Sequence, residues 1–196
     1  KPSRMGAANG EATLNGWVAD TQFDNKRGFY SSPFTVQISC ATEGATIKYT
    51  LDCSSPSETN GAVYTGPIPI SKTTILRAMA YKSGWISTDI DTQTYIFLAD
   101  IIAQPATKPN SLWPDPYTPS GGGATKQAMD YAMDTKVTQS ATYKDLIDDA
   151  LLAIPTISLV TDLPNLFDTA NGVYANPDKD LECPVCVELI YPDGSE

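Results

Sequence analysis

Phe34-Thr35-Val36-Gln37-Ile38-Ser39-Cys40 is the stretch on which the fold turns. Phe34, Val36 and Ile38 fall on one face and Thr35, Gln37 and Ser39 on the other, which is the period of a half-buried strand. The turn-like Thr42-Glu43-Gly44 follows, and then Ile47, Tyr49 and Leu51 alternate with Lys48 and Thr50. The two runs are expected to pair as a hairpin, with Cys40 and Cys53 near opposite strand ends.

Further along, residues 52–61 are rich in Ser, Pro, Thr and Asn and read as a loop. In residues 63–70, Pro67 and Pro69 suit an edge segment, because proline cannot donate to a ladder on both sides. Leu76, Ala78 and Ala80 then alternate with Ile75, Arg77, Met79 and Tyr81, and a last run places Gln93, Tyr95 and Phe97 on one side. Several short strands at this spacing make a two-sheet sandwich.

Residues 1–22 show little periodicity and read as a linker or the tail of a preceding unit, with no regular structure. After Leu98, five prolines from Pro105 to Pro119 and the run Gly121-Gly122-Gly123 mark a connector over residues 99–125. Residues 126–133 and 142–153 have helical spacing, the second with Tyr143, Leu146, Ile147, Ala150 and Leu151 in one apolar stripe. Pro155 stops that helix, and residues 156–160 and 185–190 read as strands of a further domain.

Composition narrows the function. Thirteen basic residues against 23 acidic ones leave a net charge of −10, which repels nucleic acid and anionic membrane surfaces. The apolar run at residues 150–160 contains a proline and falls short of the ~20 residues of a membrane-spanning helix. The chain has no histidine, so Ser-His-Asp, Cys-His and His-zinc chemistry are excluded within it. The chain opens with Lys1-Pro2-Ser3-Arg4, which reads as a processed or excised fragment. A Thr/Ser/Asn/Tyr-rich chain with an even number of cysteines reads as extracytoplasmic.

Four ordered stretches carry a resemblance: Arg27-Gly28-Phe29-Tyr30-Ser31-Ser32-Pro33-Phe34, Ala45-Thr46-Ile47-Lys48-Tyr49-Thr50-Leu51-Asp52, Tyr64-Thr65-Gly66-Pro67-Ile68, and Leu76-Arg77-Ala78-Met79-Ala80-Tyr81-Lys82-Ser83-Gly84. As a set over residues 23–98 they resemble the chitobiase/β-hexosaminidase C-terminal domain, which implies an immunoglobulin-like β-sandwich, an accessory module without catalytic residues. Pro155-Thr156-Ile157-Ser158-Leu159-Val160-Thr161-Asp162, Asn165-Leu166-Phe167, Gly172-Val173-Tyr174-Ala175-Asn176 and Val185-Cys186-Val187-Glu188-Leu189 resemble the start of a CotH-type domain, of atypical kinase fold. That resemblance assigns residues 155–196 to its N-terminal part and leaves its nucleotide and metal residues beyond position 196. Gly6-Ala7-Ala8-Asn9-Gly10 resembles the exit from a lamin-tail-type domain. The implied whole is mainly β: an immunoglobulin-like sandwich, a Pro/Gly-rich connector, short helices at 126–154 and a partial second domain, from a large secreted bacterial protein.

The candidate site residues are few. Cys40 and Cys53 read as a structural disulfide across the hairpin in preference to a redox pair. Cys183-Pro184-Val185-Cys186 has redox-motif spacing but not the strand-to-helix setting that activates a thiol, and in an extended chain residues three apart face opposite ways. Pairing with another segment or two free thiols is the better reading. A four-cysteine zinc site is disfavoured by the spacing of Cys40 and Cys53. No cofactor is called for, with calcium left open as an alternative: Asp145, Asp148, Asp149, Asp178 and Asp180 raise it but lack the spacing of a calcium loop. Trp85 and Trp113 are candidates for stacking on glycans, with the plainer alternative that they pin connectors to the sandwich.

The reading that follows is a secreted or cell-surface, non-catalytic module that spaces, rigidifies or displays neighbouring domains. A glycan-binding module is the alternative, and an accessory segment of a CotH-like kinase is another. Its partners would be neighbouring domains of the same polypeptide, a second copy through unpaired C-terminal strands, or glycans, with no nucleic acid and no membrane insertion.

Overall fold

The computed structural model describes residues 14–111, 113–114 and 130–195, and these are mainly β. A five-stranded sheet stands in the middle, in the order β2 (Gly28–Phe29), β9 (Asp91–Ile96), β8 (Thr74–Tyr81), β5 (Thr46–Thr50) and β6 (Ala62–Val63). β2 joins β9 in parallel, and the other neighbours are antiparallel. A second layer is built from two short pairs, β1 (Thr21–Phe23) with β4 (Ile38–Cys40) and β3 (Phe34–Val36) with β7 (Ile68–Ile70).

Between the layers lies one core. Phe23, Val36, Ile38, Ile68 and Ile70 from the small pairs meet Leu76, Ala78, Tyr95 and Phe97 from the large sheet. The alternation at residues 34–38 therefore does what its period implies: Val36 and Ile38 are buried and Thr35 is exposed. Across β5 and β8 the register sets Ile47 against Ala80 and Tyr49 against Ala78, so small side chains leave room for large ones. Tyr30 stacks on Phe34 at 4.1 Å, and Tyr95 meets both edge-on. The buried Tyr95 hydroxyl donates to the Asn25 carbonyl at 2.9 Å, which meets its polar requirement.

The structure corrects the expected hairpin. β4 pairs with β1, and β5 pairs with β8 and β6, so the runs at 34–40 and 46–50 lie in different layers. A turn that crosses between sheets has the same Gly-containing composition as one that folds a strand back on its neighbour. The run 34–40 is also split at Gln37, whose backbone N–H donates to Asp24 Oδ1 at 2.8 Å, and this lets one strand serve both short pairs.

Structure begins earlier than expected. β1 starts at Thr21, and Trp17 bridges Ile86 in parallel, through Ile86 N–H to Gly16 and Val18 N–H to Ile86, both 2.9 Å. Gly84 takes a φ of +74°, which favours glycine, and its carbonyl accepts from the Asn15 backbone N–H at 2.8 Å. The pentapeptide Gly6–Gly10 and the triple glycine 121–123 lie outside the described residues.

The C-terminal third is a hairpin with short helical turns. β10 (Thr156–Val160) and β11 (Cys186–Ile190) pair antiparallel with each other, at the positions of the two expected strands. Helix α1 (Leu98–Ile102) opens the region expected to be connector. In the first expected helix, residues 126–129 lie outside the described residues and 130–133 are not helical. A single turn, α2 (Thr135–Thr138), follows instead, because Asp134 caps it by accepting from Lys136 N–H at 2.8 Å. The second becomes a 3₁₀ turn at Lys144–Leu146 running into α3 (Ile147–Leu151). Of its apolar stripe only Ile147 is buried, while Tyr143 and Leu146 are exposed. Helix α4 (Leu163–Phe167) follows β10.

Candidate functional site

β8 is buried almost end to end on both faces, which a two-layer sandwich does not require of it. Leu76, Ala78 and Ala80 face the core, while Arg77 and Met79 point the other way and are nevertheless covered. The later part of the chain reaches this face at two polar seams, one through the hairpin and one through Asp162 at the start of α4.

The first seam joins β9 to β11. Ser158 and Glu188 oppose each other across the hairpin, both on its inner face. Thr94 Oγ1 lies 2.8 Å from Ser158 Oγ, and Glu188 accepts from the Thr94 backbone N–H at 3.2 Å and, in a very short contact, from the Thr94 hydroxyl. Glu188 is 1% exposed, and the cation nearest to it is Arg27, at 3.8 Å and one-third exposed. At that distance Arg27 contributes charge and no hydrogen bond. The hydrogen bonds to Thr94 are therefore what hold the carboxylate in place.

The second seam joins β8 to the start of α4. The Arg77 guanidinium donates to the Cys53 carbonyl at 2.8 Å and to Asp162 Oδ1 at 3.2 Å, and Ser55 Oγ donates to Asp162 Oδ2 at 2.8 Å. Cys53 turns its carbonyl toward Arg77 by adopting a φ of 68°, the one positive φ at a non-glycine residue among those described. Nε of both Arg27 and Arg77 is buried without a partner among the described residues, so neither guanidinium is fully used.

The expected site residues fall apart from one another. The Cys40–Cys53 bridge is not formed, and all four cysteines are free thiols. Cys40 sits beside the turn while Cys53 lies past the far end of β5, whose five residues span about 17 Å, well beyond the ~7 Å Cα limit for a disulfide. Cys40 Sγ donates instead to the Ala19 carbonyl at 3.0 Å. Burial pushes the Cys53 thiol pKa up, with Asp52 adding to the effect and Arg77 opposing it. Cys186 opens β11 opposite Val160, and Cys183 precedes the strand.

Trp85 and Trp113 have separate surroundings. Trp85 is packed beside Gly16 with Lys82 Nζ 4.9 Å over its ring, near the exposed Trp17. Trp113 meets Tyr131 edge-on at 5.8 Å and Phe167 of α4 at a tilt at 5.6 Å. Among the described residues no three His, Cys, Asp or Glu side chains are grouped to hold a metal, and no helix is long and apolar enough to cross a membrane.

Residues 25–92 match the family model of the chitobiase/beta-hexosaminidase C-terminal domain. The match covers less than half of the chain and takes in strands β2 to β8 and the start of β9. The chitobiase-type domain is an immunoglobulin-like module without catalytic function, in keeping with the sandwich described above. No curated protein and no solved structure matches the chain. The hairpin residues Ser158 and Glu188 that bond to Thr94 lie outside the matched span.

Sequence reasoning passed over Glu188, Thr94, Arg77 and Asp162. The signal was present in two of them. Arg77 is the one charge in Thr74–Tyr81, and Glu188 is the one charge in Cys186–Ile190. A lone charge in an otherwise apolar strand has to be either solvated or paired, and here it is paired.

Proposed function

We propose that this chain is a non-catalytic accessory module of a secreted or cell-surface protein, which holds the segment after its sandwich in one fixed orientation. The observation that carries this is the buried Glu188 on Thr94, together with Arg77 on Asp162: both tie the later part of the chain to the sheet through oriented hydrogen bonds. A flexible tether would need neither. On this reading residues 155–196 are the opening of a CotH-like domain, and the two seams set its direction relative to the sandwich.

Spin labels at Ser83, on the exposed turn after β8, and at Ser195, just past β11, test the idea in a background whose native cysteines are replaced. A single narrow distance distribution is expected, broadening when Glu188 is replaced by Ala. A broad distribution in the unperturbed chain would overturn the rigid-spacer reading.

A second reading, glycan binding, draws on Trp17, which is 67% exposed and bridges Ile86, the residue after Trp85. Titration with chitin and β-glucan oligosaccharides, following tryptophan fluorescence, discriminates the two. Saturable quenching that is lost on Trp17→Ala would favour the glycan module.

A further inference from the structure

Four Asn-Gly pairs occur in the chain, Asn9-Gly10, Asn15-Gly16, Asn60-Gly61 and Asn171-Gly172, and the first lies outside the described residues. In such a pair the glycine backbone nitrogen is unshielded by any Cβ and can attack the side-chain carboxamide carbon of the asparagine before it. Both reacting groups belong to adjacent residues, so the chemistry needs water and no partner surface.

The three described pairs differ in what surrounds that nitrogen. Gly172 is buried, and its N–H donates to the Asp168 carbonyl at 2.8 Å, so the nucleophile is committed. Gly16 has no such bond, but it packs beside the Trp85 ring, whose π face disfavours the anionic nitrogen that attack requires. Gly61 is half-buried behind the exposed Asn60, and its N–H has no acceptor among the described residues. The Lys48 ammonium donates to the carbonyl of this same Gly61 at 3.0 Å, which places a positive charge where the negative one develops. The fold also fixes the glycine: its φ is +93°, and a Cβ there would lie 2.6 Å from the Tyr49 carbonyl oxygen.

Asn60 holds the loop that serves the second seam. Its Nδ2 donates to the Ser55 carbonyl at 2.8 Å and to Ser54 Oγ at 3.2 Å. Ser55 Oγ in turn donates to Asp162, and the Cys53 carbonyl accepts from Arg77.

We propose that Asn60-Gly61 is a self-modifying site, at which Asn60 turns into aspartate and isoaspartate and the second seam loosens in consequence. The Gly61 nitrogen loses its proton to solvent hydroxide and bonds to Asn60 Cγ, the Cγ–Nδ2 bond breaks, and ammonia leaves a cyclic imide. Water then opens the ring at either carbonyl, giving one product or the other. Neither product keeps the amide donors, and a carboxylate facing the Ser55 carbonyl repels it. The chemistry stands apart from the rigid-spacer reading, and the loosening rests on it.

The test incubates the whole folded chain at mildly alkaline pH and maps its peptides for exchange of an amide nitrogen for oxygen and for isoaspartate. Asn60 is expected to convert about fivefold faster than Asn171, whose glycine must first give up a hydrogen bond. Lys48→Met should slow Asn60 about threefold and Lys48→Arg should restore it. Spin labels at Ser83 and Ser195 should give a distance distribution that broadens as Asn60 converts and stays narrow in Asn60→Gln, whose longer side chain forms the ring far more slowly. Conversion at Asn15 or Asn171 ahead of Asn60 overturns the site, as does an Asn60 that reacts in the urea-unfolded chain and not in the folded one. Complete conversion with the distribution unchanged overturns the loosening. A distribution already broad before any conversion overturns the spacer reading and the loosening with it, while the peptide map still decides the chemistry.

Discussion

Replacing Glu188 by Ala removes the acceptor for the Thr94 backbone N–H and for its hydroxyl, at a position that is 1% exposed. Hydrogen bonds to a charged acceptor contribute about 1.5–3 kcal/mol each, and a buried N–H left without a partner costs about 1–3 kcal/mol. The Arg27 contact adds at most about 1 kcal/mol, since that side chain is one-third exposed and 3.8 Å away. The expected loss is about 3 kcal/mol, at the low end for breaking a buried charged contact. Glu188→Gln keeps the shape and one acceptor, so about half that loss is expected. Urea unfolding gives the magnitude, and amide hydrogen exchange gives the place. In Glu188→Ala, β10 and β11 should lose protection while β8 and β9 retain most of theirs, as expected when one unit opens before the rest. A loss below about 1 kcal/mol with the hairpin still protected would refute the argument. So would a loss of equal size in Arg27→Ala, because the ion pair and not Thr94 would then be the anchor.

At the other seam, Arg77→Ala should cost about 3 kcal/mol and Asp162→Ala about 1 kcal/mol, since Arg77 is buried with two acceptors while Asp162 is partly exposed. Equal losses in urea unfolding would put the energy in the pair instead of the Cys53 carbonyl. Asp91 is pushed above the ordinary carboxylate range, by burial first and by Asp20 and Asp89 as well, against the stabilising Thr21 hydroxyl. A carboxyl whose pKa is raised on folding contributes stability that is present at acid pH and declines as pH rises through its folded value. Asp91→Asn should therefore raise the melting temperature at pH 7 and change it little at pH 3, and an equal gain at both would sink that account. All four thiols should alkylate without reductant in the unfolded chain, and Cys53 should be slow in the folded one because burial raises its pKa. A Cys40–Cys53 cross-linked peptide would contradict the strand order.

Much of the sandwich was legible because its signal is local. Alternation at 34–38, at 74–81 and at 92–97 reports which side chains turn inward, and Val36, Ile38, Leu76, Ala78 and Tyr95 are where that rule puts them. Which strand lies beside which is a non-local fact, and there local patterning failed. The turn after Cys40 carries the same residues whether it folds the chain back or sends it to the other layer, so the hairpin and the disulfide built on it went together. The helix expected at 142–153 kept its place but lost its buried stripe, because nothing among the described residues covers Tyr143 and Leu146. The seam was missed for a different reason. Thr94, Ser158 and Glu188 are 64 and 94 residues apart, and no spacing rule links them. Only the charged side chain in each apolar strand hinted that a partner was waiting.

The double-sided burial of β8 has a consequence for how the protein is made. The ribosome delivers the sandwich before the hairpin. At about 5–20 residues per second, the stretch from β9 to the end of β11 takes on the order of 5–20 s to emerge. Through that interval the nascent chain carries a sheet whose Arg77 and Thr94 lack their later partners, at a stage when other unfinished chains are close by. Strand edges and apolar faces bared in this way are what chaperones bind and what aggregates grow from. A chain stopped after position 98 would stay permanently in that condition, and it should aggregate more readily than the longer chain.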